Sequence, residues 1–199
     1  MTVRLQALKE WAIAIAALGC GDTIVLLRKG GIREREFLVR DRRVLLYPTQ
    51  FHQAQFHQAD GALKAPYAER AADPNRLQAA GNNLAIAYWA QITHCLTPDP
   101  EHLGALFPFH IWTEAFVRQR LAWKPERPLQ VLCLRVYKLP EPLVLPERPQ
   151  GCRSWFAVEP AANQAVLPTT APAVTTERYD AQTEAILQAL KLTANNCEE

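Results

Sequence analysis

The chain lacks the sequence marks of most catalytic and extracellular classes. It has no C-x-x-C pair, and its five cysteines (Cys20, Cys95, Cys133, Cys152 and Cys197) are odd in number and widely scattered. That pattern argues against both a disulfide framework and a cysteine zinc site. It points instead to reduced thiols in a cytoplasmic protein. No stretch reaches the ~18 apolar residues that a membrane span needs, so no membrane partner is expected. There is no G-x-x-x-x-G-K-[ST], no G-x-G-x-x-G, no H-E-x-x-H and no G-x-S-x-G, so neither a nucleotide loop, a zincin helix nor a nucleophile elbow is signalled. No period of 20–50 residues appears either, which argues against a repeat architecture.

What is present suits an ordinary globular chain of 199 residues, 49% apolar and 21% charged, long enough to bury a substantial core. The formal net charge of +2 hides a segregation. Residues 1–43 carry nine basic against five acidic side chains, and residues 118–153 carry eight against three. The intervening and final stretches are acidic. If the two positive segments meet in the fold, they make a basic face despite the near-neutral total.

The first apolar run, "LQALKEWAIAIAALGCG", has the look of a leader, but Glu10 interrupts it. Leu5, Leu8, Trp11 or Ala12, Ile15 and Leu18 fall at helical spacing, predicting an amphipathic helix over 3–18 that stops at Gly19 and Gly21. Strands are expected at Thr23–Lys29, Ile32–Val39 with a Gly30-Gly31 turn between them, and Val44–Thr49. Gly61–Ala80 reads as partly helical. "NLAIAYWAQITHCLT" reads as a long central strand, with a buried helix as the alternative, and two helices follow, opened by "PDPEHLGAL" and "HIWTEAFVRQRL". "LQVLCLRVYKL" is the clearest strand of all, and "GCRSWFAV" is another. The order predicts an α+β domain over 1–158, with a mainly antiparallel, curved sheet flanked by helices and closure into a PUA-like pseudo-barrel as one form of it. An Ala/Pro/Thr-rich linker over 159–176 and a helix with an acidic tail over 177–199 complete the organisation.

Five constellations could carry chemistry. His52 and His57, in "QFHQAQFHQA", lie five apart, a spacing that joins one metal ion only in an irregular loop. A hydrogen-bonded loop anchored by Phe51 and Phe56 is the simpler account, and no metal is assigned. Arg28 and Lys29 end an apolar strand beside two glycines, where freed amides could form an anion nest. His110, Glu114 and Arg118 recur every four residues, so on one helix they would form a stripe with a carboxylate-tuned base and an anion clamp. Arg135, inside an apolar strand, must pair or bind an anion, and Glu10 is a candidate partner. Arg153 and Trp155 share one face of "GCRSW" and could stack a base, while Cys152 and Ser154 share the other.

The ordered motifs "LKEW", "IVLLRKGGI", "LLYPTQFHQ", "HIWTEAFVRQRLAWKP", "PLQVLCLRVYKL" and "GCRSW" together resemble a prokaryotic family, domain-of-unknown-function family 1802, over about Leu5 to Val158. The resemblance implies a single-domain soluble protein and names no activity, cofactor or catalytic residue. "ALGCGDTIVLLRKG" is in addition similar to the helix–glycine–strand opening of the PUA-like and ASCH group of RNA-associated domains.

The leading expectation is a binding domain for a phosphate-bearing ligand, nucleic acid or a phosphorylated small molecule. Arg28, Lys29, Arg118, Arg135 and Arg153 would meet phosphate, and Trp112, Trp123 or Trp155 would stack. The alternatives are a hydrolase or transferase using His52 or His110 (with Glu114) as base, and an adaptor whose C-terminal helix engages a protein partner.

Overall fold

A computed structural model describes residues 4–29, 37–49, 61–72, 85–145, 151, 153–160, 167–168 and 170–192. The chain runs β1 (Leu5–Trp11), α1 (Ala12–Gly19), β2 (Val25–Arg28), β3 (Arg43–Thr49), α2 (Ala65–Ala72) and β4 (Ala85–Leu96). A 3-10 helix (Pro100–Phe109), α3 (Glu114–Ala122), β5 (Gln130–Val144), β6 (Trp155–Val158) and α4 (Thr176–Ala189) follow. The six strands form one sheet in the order β2-β5-β4-β3-β1-β6, in which only the β1–β3 pair is parallel. The fold is a single α+β domain, as the sequence pattern predicts. No helix among the described residues is long and apolar enough to cross a membrane.

Both faces of the sheet are covered. Val44 and Leu46 of β3 enter the main core with α1 and α4, whereas Leu45 and Tyr47 enter a second apolar layer with Ala7, Ile86, Trp89 and Tyr137. Two-sided burial explains why "RVLLYP" shows no polar alternation. It also explains the main departure from the sequence reading, in which residues 3–18 form one helix. Leu5–Trp11 is a strand paired with β3 and β6. Ala7 and Leu8 are each 0% exposed, one on either face, and a strand apolar on both faces cannot be told from a buried helix by periodicity. Trp11, extended at φ −64° and ψ 134°, marks the change to helix.

Helix α1 stops before Gly21, whose φ of 73° is left-handed as expected, whereas Gly19 is the last helical residue and is not left-handed. Its place in the helix is close against Tyr88, whose ring a Cβ would overlap. The Gly30-Gly31 turn and most of the Ile32–Val39 strand lie outside the described residues. Phe37 does enter the core, as expected, and Val39 packs against it, but residues 37–40 form no strand.

The sheet curls until its two ends meet. Arg28, at the end of edge strand β2, donates to the carbonyl of Lys9 in β1 (3.2 Å) and to the Ser154 hydroxyl at the start of β6 (2.9 Å). Lys29, 2% exposed, turns away to α3, where its ammonium donates to the carbonyls of Arg120 (3.1 Å) and Leu121 (2.6 Å). These are last-turn carbonyls without an intrahelical partner. Lys29→Met is expected to lower stability by about 1–3 kcal/mol, because it leaves two buried acceptors unmet. Urea denaturation of the variant checks this.

Candidate functional site

The seam where β2 meets β1 and β6 holds a cluster of partly buried charges. Its anion is Glu10, 6% exposed. One carboxylate oxygen accepts the Trp11 backbone N–H (2.7 Å), and the other accepts from Arg28 (2.8 Å). Thr49 donates to the Glu10 carbonyl (3.0 Å) and so ties the end of β3 to the same point. Parallel pairing of β1 with β3 puts Glu10 opposite Pro48 and Trp11 opposite Thr49, which sets that register. Ser154, 3% exposed, accepts Arg28 through its hydroxyl and the Lys9 N–H through its carbonyl (2.8 Å). The Arg28 guanidinium lies 5.1 Å from the centroid of Phe37, whose ring stacks on Trp155 at 5.5 Å.

A second guanidinium joins the cluster from α3. Arg120 is half-buried, and Lys29 anchors its backbone beside Arg28. Burial and the neighbouring Arg28 push its pKa down, while Glu10 pulls it up. Its guanidinium rests 5.5 Å from the Trp123 ring and has no hydrogen-bond acceptor among the described residues. The Lys124 ammonium lies 4.7 Å from the centroid of the same ring. Lys124 holds a left-handed φ of 51°, unusual for a residue with a side chain. One carboxylate thus faces two guanidiniums in a partly desolvated setting where charge interactions are strengthened. The two positive segments of the sequence meet here, Arg28 and Lys29 from one and Arg120 from the other.

The sequence-derived residues divide accordingly. Arg28 and Lys29 belong to the seam, and Arg153 is exposed immediately before Ser154. Trp155, 6% exposed, is a core residue whose indole N–H has no acceptor among the described residues. Arg118 is elsewhere, exposed and paired with Glu114 four residues earlier (2.5 Å). Arg135 is also elsewhere. Its partner is not Glu10, which Arg28 holds, but Thr176 at the start of α4, and its guanidinium lies 5.3 Å from the Tyr179 ring. Of the three tryptophans considered for stacking, Trp112 and Trp155 are buried and Trp123 is half-buried.

His110 is not on a helical stripe with Glu114 and Arg118. Thr113 caps α3 by accepting the Phe116 N–H, so the helix begins at Glu114 and His110 precedes it in extended backbone at φ −129°. Its imidazole is buried, accepts the Trp112 N–H at Nδ1 (3.2 Å), and is pushed down to a pKa of about 4 by burial and by Lys64. Lys64 in turn donates to the carbonyls of Phe107 and His110. His52 and His57 lie outside the described residues, as does Cys152. The sequence reading passed over Arg120 and Glu10 as seam partners. The segregation of basic blocks was the signal that could have paired them.

Asp99, Glu101 and His102 could each offer a metal one ligand atom, all within 4.8 Å of one another. They are neighbours in sequence at the start of the 3-10 helix, and His102 already lies 3.6 Å from Glu101.

A family model described as "Domain of unknown function (DUF1802)" matches residues 7–185. No curated protein and no solved structure matches the chain.

Proposed function

Since the chain belongs to the DUF1802 family, whose description assigns no activity, we propose from the seam geometry that it binds a phosphate-bearing ligand, a nucleic-acid strand. The observation that carries this reading is the half-buried Arg120 guanidinium, left without an acceptor among the described residues beside an Arg28 already matched by Glu10. A phosphate oxygen would supply the missing acceptor through a short, charge-assisted bond. Trp123, half-buried and close to both Arg120 and Lys124, would be the ring for a base to stack on next to the phosphate contact. That Cys20, Cys95 and Cys133 carry thiols rather than disulfides accords with a cytoplasmic setting for such a protein.

Fluorescence anisotropy with single-stranded RNA, single-stranded DNA and duplex DNA across a salt series tests the proposal. Binding is expected to weaken steeply with salt. Arg120→Gln should weaken it about tenfold, ~1.4 kcal/mol, and lower the salt slope by about one. The absence of binding to all three, or a salt-independent interaction, counts against the proposal.

A further inference from the structure

Strand β5 runs for 15 residues, but β2 covers its edge only from Gln130 to Cys133. The edge continues past β2, and an extended segment of the chain's own C-terminal region lies along it. The Ala173 N–H donates to the Val136 carbonyl (2.8 Å), and the Thr170 hydroxyl donates to the Lys138 carbonyl (3.1 Å). Tyr137 and Pro172 form an isolated antiparallel bridge. On the adjacent face the Trp89 indole donates to the Pro168 carbonyl (3.1 Å), and Trp89 stacks on Tyr137 at 4.3 Å with 10° between the ring planes. Leu167 enters the apolar layer around those rings. Gly21 makes room for this packing, because a Cβ there would come within 2.8 Å of the Ala173 carbonyl oxygen.

The parts match those that recognise extended, proline-containing peptides. They are an open sheet edge that pairs with backbone, an aromatic floor, and an indole N–H aimed at a carbonyl beside proline. The occupant has the matching chemistry, an apolar residue and Pro168 followed four residues later by Pro172. Few groups hold it. The backbone pairing, one hydroxyl bond and one indole bond are each worth only about 1 kcal/mol net. Release of this strap is therefore a local opening, separate from unfolding of the core.

We propose that the β5 edge at Val136–Lys138, with Trp89 and Tyr137, is a docking site for an extended proline-containing segment of a partner protein, and that residues 167–168 and 170–173 occupy it in cis as an exchangeable occupant. The cis strap acts at the high effective concentration of a tethered ligand, so a partner segment binds with reduced apparent affinity until the strap is released.

Amide exchange followed by NMR on the unmodified chain tests this directly. Two protons serve as reporters: Ala173 N–H, bonded to Val136, and Leu134 N–H, bonded to Ile24 at 2.8 Å. The Ala173 amide is expected to exchange at least about 100-fold faster than that of Leu134. A synthetic peptide of residues 167–174 in excess should accelerate it further and leave Leu134 unchanged. Trp89→Phe, which keeps the aromatic floor and removes the indole donor, should weaken the peptide's effect several-fold. Equal exchange at the two amides, an Ala173 rate indifferent to the peptide, or full retention of the effect in Trp89→Phe each overturns the proposal. If the variant does not fold, the two measurements on the unmodified chain decide.

Discussion

Glu10→Ala should lower the stability of the domain by about 3–5 kcal/mol, the range for removing one partner of a buried ion pair. The side chains of Glu10 and Arg28 are only 7% and 15% exposed, so solvent cannot take over the lost contact. The loss leaves two guanidiniums facing each other and orphans the Trp11 N–H that the carboxylate accepts. Glu10→Gln keeps an acceptor for that N–H and should cost less, about 1–3 kcal/mol. Urea denaturation with and without inorganic phosphate separates structure from function. Phosphate should recover more stability in Glu10→Ala than in the unmodified chain, since an anion binding the folded state adds stability by mass action. A cost below about 1 kcal/mol would show that the seam is not closed by this pair.

The second large effect is a loss of stability in acid through His110. Burial and Lys64 hold its folded pKa near 4, whereas an unfolded histidine titrates near 6.5. The native state therefore binds fewer protons than the unfolded state between those values. The contribution is complete above pH ~6.5 and is lost progressively as pH falls to the folded pKa. At that point it amounts to about 3 kcal/mol. In His110→Asn an amide oxygen can take the place of Nδ1 as acceptor for Trp112, and the side chain does not titrate. Denaturation midpoints at pH 7, 5.5 and 4 should fall less in this variant. Parallel decline in the two proteins would place the acid sensitivity elsewhere.

The sequence disclosed those parts of the fold whose local signals agree with their surroundings. β4 and β5 are legible because aromatic and β-branched residues recur through "IAYWAQIT" and "VLCLRVY", and both are strands. β1 was hidden because its neighbours on both faces are apolar, which erases alternation. The start of α3 carried a usable cue in Thr113 followed by Glu114, a capping residue before an acidic first turn. The four-residue recurrence of polar side chains drew attention past it. The seam was half legible. Charge segregation indicated that two basic segments could meet, but which arginines would face one another depends on the curl of the sheet. That curl rests on contacts between residues 126 positions apart, such as Arg28 and Ser154. The Ala/Pro/Thr stretch carries no periodicity, so nothing in its composition shows that Leu167 and residues 170–174 rest against the sheet.

The seam also bears on how the chain is made. β1 leaves the ribosome before the other strands of the sheet, yet one neighbour of that strand, β6, begins only at Trp155, and Ser154 follows Arg28 by more than a hundred residues. During most of synthesis the apolar flank of β1 and the Glu10–Arg28 pair have no C-terminal wall to shelter them. Such distant pairing is slow to form and leaves unfinished edges exposed to neighbouring nascent chains. A nascent chain that stalls before "SWFAV" holds β1 to β5 but neither β6 nor α4, so one edge of β1 stays open until the last quarter of the sequence emerges.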